Sequence, residues 1–244
     1  MINDFEIRAI AMQRSGHHAV INWISGLFEE NDRVCFLNDF SRFKRPMQQS
    51  SYVNFSEEEI RKDIGGNFAK KKALIMNFEE IHVKDFESIL KKNNNYPRGS
   101  SRKIVDILVL RDPYNMFASR YRRSIIAGNK QDKWIGKACA DKWCEHARVF
   151  LNNKRILCIN YNKWFSCIEY RRSLARRIGL KFNDRNISKV SKHGGGSSFD
   201  RMTLGGQDMK VLNRWEQYSD DPIYNKIFNK DVRHLSEKIF GDIR

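Results

Sequence analysis

The feature that most limits the folds open to this chain is a repeated alternation of apolar runs with helical patterns. Runs of mainly apolar residues are typical of short strands, and they lie at 5–12, 33–38, 72–78, 104–110 and 155–160. Residues at helical spacing follow, and they predict helices at 17–28, after Ser56, at 82–92, after Asp112, at 132–152 and at 163–178. Strands that alternate with helices predict an α/β fold, in which helices cover both faces of a mostly parallel sheet.

The length and the remaining segments fit one domain. A chain of 244 residues is long enough to bury a complete core, so we expect a single domain over 1–244. Residues 39–56 have no clear periodicity and predict a long loop, whereas 189–207 are rich in glycine and serine and predict a second loop. Helical patterns end the chain, at 208–218 and 231–240.

The turns that follow the predicted strands are the place to look for a ligand site. In parallel sheets of this kind, ligands bind beyond the carboxyl ends of the strands. The turns after residues 12, 78, 110 and 160 therefore share one edge of the predicted sheet, and residues far apart in sequence are expected to meet there.

The turn after the first strand has the composition of an anion-binding loop. It contains Gln13, Arg14, Ser15 and Gly16, and a predicted helix follows at once. The N–H groups at a helix start favour anions, and Gly16 lets the backbone approach a phosphate closely. An ordinary connector with a surface arginine explains this segment equally well. The ATPase form of the loop, GxxxxGK[ST], is absent, which argues against a kinase or ATPase.

A second segment, after the strand at 104–110, is more specific. Arg111 lies at the end of the strand, Pro113 opens a helix, and Ser119 lies eight residues after Arg111, about two helical turns later. A guanidinium and a hydroxyl placed in this way can hold one phosphate from two sides. The alternative is that Arg111 pairs with a carboxylate and that Ser119 is an ordinary helix position.

This second segment resembles the 3′-phosphate motif of sulfotransferases that use 3′-phosphoadenosine-5′-phosphosulfate (PAPS). The motif consists of an arginine, a proline two residues on and a serine eight residues after the arginine, as in Arg111, Pro113 and Ser119. The first turn resembles the 5′-phosphosulfate loop of the same family. The residues that match this loop are Arg14, Ser15, Gly16, His17, His18 and Ala19.

Two further matches extend the resemblance to about residue 205. Tyr161, after the strand at 155–160, resembles a family tyrosine that lies near the adenine. Lys192, His193 and Gly194 resemble the basic loop that closes over the 3′-phosphate. The chain departs from the usual family pattern at Arg14, His17 and His18, where cytosolic members carry lysine and two threonines, so it resembles a divergent member.

The resemblance implies a three-layer fold like that of P-loop nucleotide hydrolases, and the transfer of a sulfuryl group from PAPS. The product would be adenosine 3′,5′-bisphosphate (PAP), and no metal would be required. Arg14 would stabilise the bridging oxygen of the donor. The N–H groups of the first loop would hold the 5′-phosphate. The 3′-phosphate would be held by Arg111 and Ser119, with Lys192 or Arg201 helping.

A base must remove the acceptor's proton, and several residues are candidates. Glu79 and Glu80 follow the strand at 72–78 and are the first choice, with His82 second. His17 or His18 is a third candidate, because a neutral imidazole accepts a proton. The two carboxylates have an alternative role as first-turn residues of the next helix.

Net charge indicates anionic partners without choosing among them. The chain has 45 Lys and Arg against 29 Asp and Glu, a net charge of +16. A basic nucleic-acid-binding protein is thus a rival to the sulfotransferase, as is a kinase, but we find no nucleic-acid-binding module. The expected acceptor is a hydroxyl or an amine of a carbohydrate or small molecule, including an anionic one.

Cysteine usage and hydropathy bear on the compartment. The five cysteines form no CxxC pair, which favours free thiols, and no window approaches the length of a membrane span. A cytoplasmic protein is expected by default. The five tryptophans fall at helical spacing among apolar residues and are expected in the core: Trp23, Trp134, Trp143, Trp164 and Trp215.

Overall fold

The computed structural model describes residues 2–40, 50–67, 69–92, 99–128, 134–190, 197, 199–200 and 203–244. Strands in these residues form one sheet: β1 Asn3–Ala11, β2 Val34–Leu37, β3 Ser50–Val53, β4 Lys71–Glu79, β5 Ser101–Leu110 and β6 Leu157–Asn160. The strand order is β3-β2-β4-β1-β5-β6. All neighbouring strands are parallel except β2 and β3. The predicted α/β fold with a mostly parallel sheet is therefore confirmed.

Helices cover both faces of the sheet and complete the three layers. They are α1 His17–Gly26, α2 Glu57–Ile64, α3 Phe86–Lys92, α4 Pro113–Ile126, α5 Lys137–Asn152, α6 Tyr161–Ser166, α7 Ile168–Ile178, α8 Pro222–Asn225 and α9 Lys230–Phe240. Side chains of β1 alternate between two cores, as strand geometry requires. Ala9 packs in the core that contains Trp23 of α1, whereas Ile10 packs with Phe86 of α3.

The central position of β1 determines where the functional turns lie. Ala11, at the end of β1, is in register with Glu79 of β4 on one side and with Val109 of β5 on the other. Leu110 is in turn in register with Asn160 of β6. The turns after these four strands therefore share one edge of the sheet, as predicted.

Two helix starts follow the expected capping chemistry. Ser56 accepts the N–H of Glu59, and the Glu59 side chain accepts the N–H of Ser56, which is a complete capping box. At the start of α4, the side chain of Asp112 accepts the N–H of Asn115 at 2.8 Å, and Pro113 occupies the first turn. These local hydrogen bonds explain why both helix starts can be read from sequence.

Three segments differ from the predictions. Strand β3 lies inside the predicted loop 39–56, because this short strand depends on antiparallel pairing with β2 and has little apolar character of its own. The helix predicted at 163–178 is divided at Cys167, whose backbone is extended. The helix predicted at 208–218 is instead two short 3₁₀ segments, at Gly206–Asp208 and Arg214–Tyr218.

Cysteines and hydropathy agree with the sequence analysis as far as the structure describes them. All five cysteines are free thiols, and Cys167 is the exposed one. None of the helices in the described ranges combines the length and the apolar character that a bilayer crossing demands.

Candidate functional site

A cavity of about 320 Å³ opens at the carboxyl edge of the sheet. Its lining brings together the loop after β1, the end of β4, Arg111 after β5, the middle and last turn of α4, and the segment around 206–214. Among the described residues that line it, Glu79 supplies the negative charge, and the basic ones are Arg14, Arg111, Arg123, Lys189 and Arg214. An excess of cations in a concave site raises the local concentration of anionic ligands.

The loop between β1 and α1 has a left-handed backbone at two positions. Arg14 has a φ of 68° and Gly16 a φ of 81°, and Gly16 is the residue that precedes α1. The first N–H groups of a helix lack partners within it, so this helix start offers donors to an anion. Gly16, His17, His18 and Ala19 all line the cavity, whereas Ser15 is buried beneath it.

Tyr161 packs directly against this loop. A Cβ atom on Gly16 would lie 2.2 Å from Cε2 of Tyr161, so a larger residue has no room there. Tyr161 is itself 4% exposed and lines the cavity. Gly16 is thus required both for its backbone conformation and for the approach of the tyrosine ring.

Arg111 connects the two segments that the sequence analysis singled out. Its Nη1 donates to the carbonyl oxygen of Arg14 at 3.2 Å, and its Nη2 donates to the carbonyl oxygen of Val211. Its guanidinium carbon lies 5.2 Å from the centroid of the Tyr161 ring. Arg111 is 2% exposed, and its Nε has no hydrogen-bond partner among the described residues. A buried cationic donor of this kind suits an anionic ligand.

Arg214 is a site residue that the sequence analysis missed. Its Nη1 donates to Ser119 Oγ at 3.2 Å, and its Nη2 donates to Asp200 Oδ2 at 3.0 Å. The backbone N–H of Arg214 donates to Asn115 Oδ1 at 2.7 Å, which fixes this segment against α4. No motif surrounds Arg214 in the sequence, and it lies 95 residues from Ser119, so only the fold reveals this pairing.

The cavity holds its cations close to one another. Burial, and then the charges of Arg123 and Arg111, lower the pKa of Arg14 to about 10. Burial and the charge of Arg111 likewise lower the pKa of Arg214 to about 10. A bound polyanion would relieve both the desolvation and the repulsion, so the site is electrostatically suited to phosphate or sulfate groups.

Glu79 ends strand β4 and lies in the cavity lining. Its Oε1 is 3.0 Å from Nε2 of His17, and it accepts from Nδ2 of Asn77 at 3.2 Å. Burial acts to raise the pKa of Glu79, but the hydrogen bond with His17 and the charges of His17 and His18 outweigh it and hold the pKa at about 2. The carboxylate is therefore ionised at neutral pH.

Glu80 and His82 lie apart from the cavity lining in the described part of the chain. Glu80 Oε1 accepts from Arg120 Nη1 at 2.5 Å and from the N–H of Gln13 at 2.8 Å. Glu80 therefore stabilises the backbone of the loop between β1 and α1. The His82 side chain is 46% exposed and hydrogen-bonds Glu145. The alternative in which Glu79 and Glu80 begin a helix is wrong, because Glu79 belongs to β4 and the next helical turn begins at Val83.

His17 and His18 form a polar cluster with Glu79 beside the loop between β1 and α1. His17 Nδ1 lies 3.2 Å from Ser15 Oγ, and His18 Nε2 lies 2.9 Å from Asn38 Oδ1. The ligand-type atoms of His17, His18 and Glu79 all lie within 4.8 Å of one another, a spacing that suits a metal ion.

The tryptophans and the late-loop residues that the sequence analysis singled out remain to be placed. Three tryptophans are buried in the core as expected: Trp23, Trp143 and Trp164. Trp215 is only partly buried, and Trp134 is partly buried and also lines the cavity. Lys192, His193, Gly194 and Arg201 lie outside the described residues.

Comparison with known proteins identifies the fold. The sequence matches no family model and no curated protein. The sulfotransferase domain of the Synechococcus PCC 7002 olefin synthase is similar over 98% of this chain and 95% of that one, with a TM-score of 0.61 and 14% identity. Mouse SULT7A1, solved as a complex with PAP, is similar over 96% of this chain and 89% of that one, with a TM-score of 0.52 and 14% identity. The sulfotransferase domain of the curacin biosynthetic pathway is similar over 98% of this chain and 98% of that one, with a TM-score of 0.50 and 11% identity. The chain therefore has the sulfotransferase fold, as predicted.

Proposed function

We propose that this protein is a sulfotransferase that moves a sulfuryl group from PAPS to a hydroxyl or an amine of a carbohydrate or small molecule. The observation that carries the proposal is the junction of two predicted anion sites in one cavity. Arg111 contacts the carbonyl oxygen of Arg14, and both side chains line that cavity. One adenosine that carries a 5′-phosphate and a 3′-phosphate on its ribose would then occupy both sites together.

The donor would bind through two groups of contacts. Arg14 and the N–H groups of Gly16, His17 and His18 receive the 5′-phosphosulfate. Arg111, Ser119 and Arg214 receive the 3′-phosphate through charged hydrogen bonds. The buried Nε of Arg111 has no hydrogen-bond partner among the described residues, so the guanidinium is not fully paired within the protein. The sulfotransferase fold and the PAP complex of the mouse neighbour support this donor. Contacts from Lys192, His193, Gly194 and Arg201, and from Tyr161 to the adenine, remain predictions.

The chemistry requires an in-line approach and stabilisation of the leaving phosphate. The acceptor oxygen or nitrogen forms a bond to sulfur while the bond from sulfur to the bridging oxygen breaks, and PAP leaves. Arg14 stabilises the charge that develops on the bridging oxygen. The acceptor's proton passes to the Glu79, His17 and His18 cluster, since Glu80 and His82 face other partners.

Titration of the protein with PAP, PAPS and ATP by thermal shift and calorimetry tests the donor assignment. We expect clear stabilisation by PAP and PAPS and much less by ATP, which lacks the 3′-phosphate. Arg111→Ala is expected to weaken PAP binding by at least about tenfold, because charged hydrogen bonds contribute about 1.5–3 kcal/mol each.

Arg148→Ala is a matched control, because Arg148 is an exposed arginine that pairs with Asp231 outside the cavity. It is expected to leave PAP binding unchanged. An equal response to ATP and PAP, or equal losses in the two variants, would contradict the proposed donor site.

A further inference from the structure

We propose that His17, His18 and Glu79 form a binding site for a divalent transition metal of the zinc and cobalt type. Glu79 Oε1 lies 3.0 Å from Nε2 of His17 and 3.5 Å from Nε2 of His18. The three residues project from the start of α1 and the end of β4, two elements that the sheet holds in place. The sequence resemblance implied no metal, so this site is an addition to the sulfotransferase assignment.

The distances agree with those between ligands that share one ion. Zinc binds histidine nitrogen and carboxylate oxygen at about 2.0–2.2 Å, so the ligand atoms of a tetrahedral ion lie about 3.3–3.6 Å apart. The 3.5 Å separation from Glu79 Oε1 to His18 Nε2 falls in this range. The 3.0 Å separation from Glu79 Oε1 to His17 Nε2 would have to widen by about 0.3 Å to reach it. Two imidazoles and one carboxylate are a ligand set that borderline metals such as zinc, cobalt and iron prefer.

Neighbouring residues hydrogen-bond the three proposed ligands and orient their side chains, as the residues around metal ligands do in known metal sites. His17 Nδ1 lies 3.2 Å from Ser15 Oγ, which fixes the ring with its Nε2 towards Glu79. The Asn77 side chain is held by the N–H of Asp39, which donates to its Oδ1 at 2.5 Å. Ser15 and Asn77 therefore restrict the orientation of the cluster before any ion binds.

The cluster concentrates atoms that carry lone pairs. Asn77 Nδ2 has two protons, and four potential acceptor atoms lie within 3.4 Å of it. These atoms are His17 Nε2, His18 Nε2, Glu79 Oε1 and Asn38 Oδ1. A bound ion would take the two Nε2 atoms as deprotonated ligands.

The place of the cluster gives the metal a role in the proposed reaction. All three residues line the cavity, so further coordination positions are open to a ligand there, as in catalytic metal sites. With the ion bound, its three ligands could no longer take the acceptor's proton, and an acceptor hydroxyl on the metal would instead release that proton to water. This role depends on the proposed sulfuryl transfer, whereas the metal site itself does not.

Titration of the full, untagged chain with Co²⁺ tests the site directly, because bound Co²⁺ absorbs visible light. We expect one Co²⁺ per chain with a visible spectrum typical of nitrogen and oxygen ligands, and displacement of Co²⁺ by Zn²⁺. His18→Ala and Glu79→Gln are each expected to weaken Co²⁺ binding by at least about tenfold. His82→Ala is the matched control, because His82 is exposed and pairs with Glu145 outside the cluster.

Urea unfolding shows whether each variant is folded, and stabilisation by PAP separates this inference from the proposed function. A wild-type chain that responds to PAP but shows no Co²⁺ spectrum would overturn the metal site and leave the sulfotransferase proposal intact. Equal Co²⁺ binding by wild type and Glu79→Gln would also overturn the site. Co²⁺ binding that is lost in His18→Ala, in a chain that ignores PAP, would support the metal site and contradict the proposed donor.

Discussion

At the scale of single residues, two separate features of the structure require glycine at position 16. Its φ of 81° is unfavourable for any residue with a Cβ atom, and the ring of Tyr161 occupies the space where that atom would lie. The glycine therefore fixes the distance between the loop after β1 and α6. Any side chain at this position would separate two parts of the cavity wall.

Gly16→Ala is expected to cost more stability than a glycine replacement at a similar backbone conformation. Gly66 provides the control, because its φ is 86° and an added Cβ would have no atom within 4 Å. Gly66→Ala should cost about 1–2 kcal/mol from the left-handed backbone alone. Gly16→Ala should exceed that cost by about 1–3 kcal/mol, as overpacking does, and should also weaken PAP binding. Urea unfolding of both variants measures the difference, and equal losses would contradict the role of the tyrosine contact.

At the scale of elements, a buried ion pair holds the loop between β1 and α1 against β4 and α4. Arg120 of α4 is 2% exposed, and its Nη1 donates to Glu80 at 2.5 Å and to the carbonyl oxygen of Gln13 at 3.3 Å. Glu80 also accepts the N–H of Gln13. Glu80 therefore acts on the site through the loop backbone, although the sequence made it a candidate base.

Glu80→Gln is expected to lower the free energy of unfolding by about 3–5 kcal/mol, because it leaves the buried Arg120 without its counter-charge. Burial acts to raise the pKa of Glu80, but Arg120 outweighs it and lowers that pKa in the folded state. The contribution of Glu80 is thus complete above its unfolded pKa and is lost as the pH falls through the lower folded value. Urea unfolding between neutral and acid pH should show this dependence in the wild type and less of it in the variant.

Glu58→Gln is the matched control, because Glu58 pairs with Lys62 on an exposed face of α2. An exposed pair contributes about 0–1 kcal/mol, so this variant should differ little from the wild type. A similar small loss in Glu80→Gln would mean that the ion pair does not hold the loop.

At the scale of the whole molecule, the fold assembles the proposed 3′-phosphate pocket from distant segments. Ser119 of α4 and Arg214 are hydrogen-bonded across 95 residues of chain, and Asn115 anchors the backbone of Arg214. The chain as a whole carries an excess of positive charge, and this arrangement concentrates part of that charge in one cavity. The pocket therefore depends on tertiary packing more than on any local motif.

Arg214→Ala is expected to weaken the binding of PAP by about 10–100-fold while it changes the binding of adenosine 5′-monophosphate little. The reason is that only PAP carries the 3′-phosphate with which Arg214 and Ser119 would form charged hydrogen bonds. Calorimetry with both nucleotides on the wild type and the variant measures the difference. Equal losses for the two nucleotides would place Arg214 outside the 3′-phosphate pocket.

The sequence by itself predicted five of the six strands in the described residues, most of the helices, and the two segments around Gly16 and Arg111 that line the cavity. Apolar runs and local caps such as Ser56 and Asp112 are short-range signals, so they can be read without the fold. The spacing of Arg111 and Ser119 is likewise local, because one strand end and one helix fix it.

Only the tertiary structure decided which charged groups share the cavity. Glu79 and Glu80 are adjacent in sequence, yet the left-handed backbone at Glu80 directs it to Arg120 while Glu79 meets His17. The place of Arg214 depended on the packing of its segment on α4. Contacts of this kind join residues that are distant in the chain, and no local pattern carries their signal.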